Sequence, residues 1–259
     1  MYVKKRSSKL AGLAMAMVLG GASLTLVGCK SSDLNLQGMV SAGQGMFTAA
    51  TLTDEDMRQL GDQTIAQLDS SNRVASSQSA YAKRLARLAA PWQRVDGAAL
   101  EYKVYLDSEV NAFAVPNGSI RFHSGLLDEM TDDEVRYVIA HEIGHVVLGH
   151  SKTAFQTAYA ASSARQAVAA SGQSTAVALT SSQLGDLGEK LVSAQFSQRH
   201  ENEADDYAIK LMAKSNHDPA SAVSALRKIE RKYGNHRSLF ASHPASGDRA
   251  KRLEAQIGG

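Results

Sequence analysis

The sequence predicts an α+β fold, mainly helical, with a small antiparallel sheet beside one long helix. Three observations predict it. Apolar residues recur at helical spacing through most of the chain after residue 54. Between residues 102 and 123 the pattern turns to alternation, interrupted by Asn117-Gly118. One later helix is capped, amphipathic, and carries two histidines four residues apart.

Composition sets few limits on this. The chain has 259 residues, enough for a sizeable core, and its 44% hydrophobic and 21% charged fractions are those of a folded, soluble protein. The net charge of +2 is misleading, because Lys4, Lys5, Arg6 and Lys9 all precede residue 10. Without those four cations the remainder stands near −2. No basic face is evident, and nucleic acid is not an expected partner.

Residues 1–28 read as an export signal: a basic start, an apolar run from Leu10 to Val27, then Leu26-Val27-Gly28-Cys29. That tetrad resembles the bacterial lipobox, whose cysteine carries the lipid. An uncleaved membrane anchor is the competing reading, and Gly12, Gly20, Gly21, Ser23 and Thr25 weigh against it. Cys29 is the sole cysteine of the chain, so no disulfide can brace the exported fold. By resemblance to bacterial lipoproteins, Lys30-Ser31 after the cysteine points to the outer membrane, facing the periplasm. Residues 29–53 are rich in Gly, Ser, Ala and Gln and read as a lipidated tether. Residues 54–259 form the remaining domain.

Within that domain the elements follow in order. Residues 54–90 are helical in pattern, with Met57, Leu60, Ile65, Leu68, Tyr81, Leu85 and Leu88 as candidate core, and Pro91-Trp92 as the end. Tyr102, Val104 and Leu106 alternate as in a half-buried strand. Val110–Val115 leads into the Pro116-Asn117-Gly118 turn, and Ile120–His123 returns. Thr131 with Glu134 is a capping box opening a helix whose stripe is Val135, Val138, Ile139, Ile143, Val146 and Val147, and Gly149 is its stop. Residues 154–186 are Ala, Ser, Thr and Gln-rich, and read as mobile helices or an excursion over the site, with little core. A helix over Leu187–Lys214, another capped by Asp218-Pro219 with stripe Val223, Leu226 and Ile229, and a short one after Pro244 complete the chain.

The chemistry concentrates in His141-Glu142-Ile143-Gly144-His145. On a helix, two histidines four apart lie one turn above each other and can share one metal ion, leaving the glutamate to act on a water. A plain surface helix would explain two histidines but not Glu142. With Val135 at 0° and roughly 100° per residue, Glu142 falls near 340°, on the apolar side. A carboxylate placed there needs a partner, and a divalent cation with its water is one. A catalytic zinc needs a third protein ligand and an open position. Glu201 is the candidate, with Asp205 one turn on to take the free N–H of a ligand histidine. Glu203 points about 200° away and competes less well, reading with Asp206 as a solvated face; His200 is a weaker candidate.

With Glu201-x-x-Ala204-Asp205 following H-E-I-G-H, the chain resembles the gluzincin-type peptidases of family M-forty-eight, the group of HtpX-like and CAAX prenyl proteases. The likeness runs over roughly residues 100–253 and includes Asn111-Ala112-Phe113-Ala114 and Ser242-His243-Pro244 with Arg249. Ser197-Gln198-Arg199 departs from the family pattern by one position in its arginine. The resemblance implies a zincin fold and metalloendopeptidase activity with one Zn²⁺ per chain, held by His141, His145 and Glu201, and Glu142 as base. It further implies a substrate-binding strand at Asn111, Ala112 and Phe113. His243 would steady an oxyanion or fill the open metal position, and Arg249 would bind substrate or brace His243. His123, His150, His217 and His236 read as surface or structural.

The expected partners are unfolded or misfolded envelope proteins, the outer membrane through the lipid on Cys29, and outer-membrane assembly factors. The rival reading is a metal-binding holdase or adaptor without proteolytic activity. Glu142 argues against it, since a structural zinc needs no free carboxylate. An exopeptidase would need a group to fix the substrate's terminus, and the sequence offers no clear one.

Overall fold

A computed structural model describes residues 52–162, 179–234, 243–244 and 246–258. The expected export signal, Cys29 and almost all of the expected tether lie outside them, as do His236 and residues 163–178. Among the described residues no helix is long and apolar enough to cross a membrane.

The helical pattern after residue 54 forms two helices rather than one. Helix α1 (Asp54–Ser71) starts on a Thr53–Asp56 capping box and ends where Asn72 turns extended. Ser79 then caps α2 (Ala80–Ala89) by accepting from Ala82 N. The intervening residues are serine-rich, and such side chains serve caps and turns as readily as helices. A short 3₁₀ turn, Ala90–Trp92, buries Trp92, whose Nε1 donates to Ser215 Oγ at 3.0 Å.

Strands β1 (Arg94–Val95) and β2 (Ala98–Ala99) form a small antiparallel ribbon. The main sheet contains β3 (Glu101–Tyr105), β4 (Ala112–Ala114) and β5 (Ser119–His123) in the order β3-β5-β4. The β4–β5 pair is the antiparallel hairpin its Asn-Gly turn predicts. Gly118 has φ +88°, and a Cβ there would lie 2.0 Å from Ala99 O, so only glycine fits. The sheet is nevertheless mixed, because β3 runs parallel to β5. The connection 106–111 carries the chain past a gap one strand wide, and β5 fills that gap. At its centre Arg121 is fully buried and bonds to Asp69 of α1 and Glu101 of β3.

Helix α3 (Ser124–Glu129) leads into α4 (Asp132–Val147), whose capping box joins Thr131 and Glu134. Almost every residue from Glu134 to His145 is buried. Gly149, at φ +76°, ends that run, and α5 (His150–Ala161) begins directly after it. The small-residue stretch does contribute a core: Phe155, Ala158 and Tyr159 are buried with Met57, Leu60 and Leu187. The expected helix over Leu187–Lys214 is also two, α6 (Ser181–Val192) and α7 (Gln198–Lys214). Ser197 separates them by capping α7 on His200 N at 3.2 Å. Helices α8 (Ala220–Tyr233) and α9 (Ser246–Ile257) pack on each other and, through Leu226, Ile229, Ala250 and Leu253, join the main core.

Two crossings position the site. Helix α7 lies on α4 at Gly144, where an added Cβ would stand 3.1 Å from Ala204 O. Helix α8 is fixed to the start of α4 by Ser224, whose Oγ donates to Glu134 Oε1 at 2.6 Å.

Candidate metal centre

His141 and His145 project from one face of α4, and their Nε2 atoms lie 3.1 Å apart. Glu201, in the first turn of α7, reaches both, with Oε2 3.5 Å from His141 Nε2 and Oε1 3.4 Å from His145 Nε2. His243 adds a fourth donor: its Nδ1 is 3.0 Å from Glu201 Oε1 and 3.2 Å from His141 Nε2. All four residues are buried, and their donor atoms lie within 4.8 Å of one another.

These spacings fit a divalent cation. Bonds of about 2.0–2.2 Å in a tetrahedron hold their ligand atoms about 3.3–3.6 Å apart. Glu142 gives a second reason. It is fully buried at 0% exposure, and neither carboxylate oxygen has a hydrogen-bond partner among the described residues. A buried carboxylate without hydrogen bonds is costly, and an adjacent cation with its water relieves that cost.

The surrounding groups set the orientation of the donors. His141 Nδ1 lies 2.9 Å from Asp205 Oδ1, so its N–H donates there and Nε2 is the nitrogen turned to the centre. Asp205 also accepts from Tyr137 Oη at 2.6 Å and from Arg249 Nε at 2.9 Å. His145 Nδ1 is 3.2 Å from His150 Nδ1, and His150 Nε2 is 3.2 Å from Glu203 Oε2. Arg199 donates to Glu203 at 2.8 Å and closes the chain at the surface. The Phe196 ring stacks on His145 with centroids 3.8 Å apart.

The electrostatics follow from burial and charge. Burial pushes the Glu142 carboxyl up, with His243 and His141 pulling it partly back. Burial also raises Glu201, but Arg249 and then His243 outweigh it and hold the carboxyl well below the usual range. Asp205 is depressed in the same way, against burial, by Arg249 and His141. His145 is driven down by burial.

Arg249 reaches the donor group from α9. Its guanidinium is 2% exposed and pairs with Glu201 and Asp205, with a further bond to Tyr137 Oη at 3.0 Å. A side chain so engaged braces those two carboxylates, and it also lines the pocket beside His141 and Glu142. Asn111, Ala112 and Phe113 are also buried. Ala112 and Phe113 lie on β4, at one end of the strand order, and Asn111 directly precedes it. Glu203 and His200 stand outside the donor group; the His200 ring stacks on His150 at 4.3 Å. His123 and His150 are buried, and His217 packs edge-on against Trp92.

Sequence reasoning missed Tyr137, His150 and Phe196. Tyr137 was within reach, since it precedes His141 by one helical turn. His150 follows the Gly149 break, across which a helical wheel cannot be carried. Phe196 sits in the turn between α6 and α7, where no periodicity exists. Beside His141 and Glu142 a small pocket of about 20 Å³ is walled by Val138, Leu226 and Ile229.

Comparison with known proteins agrees with this arrangement. Residues 76–257 match Peptidase family M48. The metalloprotease LoiP of Escherichia coli is 42% identical over 251 residues, covering 96% of this chain and 97% of LoiP. The metalloprotease YcaL of the same organism is 39% identical over 250 residues, covering 95% and 96%. The mitochondrial metalloendopeptidase OMA1 of Bos taurus is 28% identical over 168 residues, which is 58% of this chain and 31% of OMA1. This chain belongs to peptidase family M48.

Proposed function

We propose that this metalloendopeptidase works with one catalytic zinc held by His141, His145 and Glu201, and that it cleaves misfolded or unassembled envelope proteins. In the same proposal the lipid on Cys29 tethers it to the outer membrane, on the periplasmic side. The observation that carries the reading is the buried Glu142 carboxylate, which has no hydrogen bond among the described residues and only His243 Nε2 within 3.4 Å, beside four converging donors.

His141, His145 and Glu201 would hold the zinc, which when bound would supply Lewis acidity to a scissile carbonyl and acidify a water. Glu142, its pKa raised by burial, is placed to accept the proton of the attacking water and to deliver it to the leaving amine. Asp205 and His150 hold the two imidazoles in their ligating tautomers. Arg249 offsets the charge of Glu201 and Asp205 from behind. The Nδ1 of His243 lies among the donor atoms, which favours the reading that it fills the open position until substrate arrives. A peptide pairs with β4, the last strand of the sheet order, and runs past the pocket beside Glu142.

The test is Glu142→Gln in the purified full-length chain. Zinc content stays at the wild-type value, and cleavage of unfolded casein falls by about 10²–10⁴-fold. Undiminished cleavage rejects the mechanism. Cleavage at internal bonds of a long peptide separates this activity from that of an exopeptidase.

A further inference from the structure

His123 closes β5 with its ring beneath the loop that joins β3 to β4. The residue is 6% exposed, and neither ring nitrogen has a hydrogen-bond partner among the described residues. Its Nδ1 faces two carboxylates of that loop, Glu109 Oε2 at 3.5 Å and Asp107 Oδ1 at 3.9 Å. Neither approach has hydrogen-bond geometry. The three donor atoms lie within 4.8 Å of one another. An ion with bonds of about 2.1 Å holds its ligands about 3.0–3.5 Å apart, so a small inward swing of the half-exposed Asp107 completes the set.

The loop is already built for this. Gly125 N and Ser124 Oγ both donate to Asp107 O at 2.8 Å, and Glu109 N donates to Asp107 Oδ1 at 2.7 Å. A Cβ on Gly125 would lie 2.2 Å from Ser108 O, so the loop backbone rests directly on the start of α3. The α-carbons carrying both carboxylates are therefore fixed before any ion binds. Burial lowers the His123 pKa, and Glu109 and Asp107 offset this only in part. The ring is thus neutral and able to ligate at neutral pH.

We propose that Asp107, Glu109 and His123 form a second divalent-cation site, distinct from the catalytic centre, whose ion clamps the β3–β4 loop to β5. One imidazole with two carboxylates suits zinc or manganese; the nitrogen donor disfavours calcium and magnesium. The clamp acts one step before β4, since Asn111 O accepts from His123 N at 2.9 Å where the strand begins. If β4 receives substrate as proposed above, the ion sets the position of that edge. Its binding does not depend on that reading.

The full-length chain, stripped with a chelator, is dialysed against buffered Zn²⁺ and separately against Mn²⁺ and Ca²⁺, and bound metal is counted by mass spectrometry. Wild type binds about two zinc ions per chain, while His123→Gln and the Asp107→Asn/Glu109→Gln pair each bind about one. The carboxylate pair lies on partly exposed side chains, so it keeps the test valid should the buried His123 variant fail to fold. Glu201→Gln loses the other ion and retains this one. Equal zinc counts in wild type and the carboxylate pair overturn the proposal. Calcium bound at this loop with His123→Gln unaffected overturns it as well.

Discussion

Burial and the Arg249 guanidinium push the His141 pKa down, yet bonds to Asp205 and Glu201 outweigh them and lift it to about 9. The metal-free ring therefore holds a proton at pH 7, and a metal ion must displace it. Apparent zinc affinity is expected to rise about tenfold per pH unit from pH 7 towards 9, read by competition with a chelator of known constants. An affinity flat over that range contradicts this reading. For the metal-free fold the sign is opposite. A pKa raised from 6.5 contributes stability that is complete below pH 6.5 and lost as pH climbs through about 9. That Glu142 would point inward was legible, because a helical wheel carries through the uninterrupted α4. So was Asp205, one turn from Glu201. The bond from His145 to His150 was not, since α4 and α5 meet at a left-handed glycine and no fixed angle relates their faces.

At the scale of elements, the donor group depends on how closely α7 approaches α4. Gly144 permits that approach, and the atoms an added methyl would meet belong to the Ala204 backbone, which cannot swing aside. Gly144→Ala is expected to separate the helices by a few tenths of an ångström. Zinc affinity should then fall about tenfold or more, because Glu201 sits on the displaced helix. Equilibrium dialysis measures this; unchanged affinity with unchanged folding removes Gly144 from the account. Caps and tight turns were the legible parts of these elements, as Thr131–Glu134 and Asn117-Gly118 show. Breaks at 72–79 and 193–197 were not, because Ser, Ala and Gln continue a helix as readily as they end one. The parallel pairing of β3 with β5 also left no trace in alternation, which reports faces and not neighbours.

Across the whole molecule, one buried ion group joins the helical part to the sheet. Arg121 in β5, 1% exposed at its side chain, bonds Asp69 of α1 at 2.8 Å and Glu101 of β3 at 2.8 Å. Removing the Asp69 charge leaves the buried cation with Glu101 as its one carboxylate partner among those two, so Asp69→Asn should cost about 3 kcal/mol. In a domain of this size that lowers the thermal midpoint by about 6–12 °C. A shift under about 2 °C in a calorimetric scan would show that Glu101 alone suffices. The general architecture, helices around a small sheet beside α4, was readable from periodicity. This long-range tie was not, since Asp69 and Arg121 are remote in sequence and each alone looks like a surface charge.

The central claim is that His141, His145 and Glu201 share one ion beside Glu142. The most direct measurement is a crystal structure of the zinc-loaded chain with anomalous data collected across the zinc edge. The account predicts a peak about 2.0–2.2 Å from both Nε2 atoms and from a Glu201 carboxylate oxygen. A zinc-loaded crystal without density there, or with Glu201 turned beyond bonding distance, would contradict it.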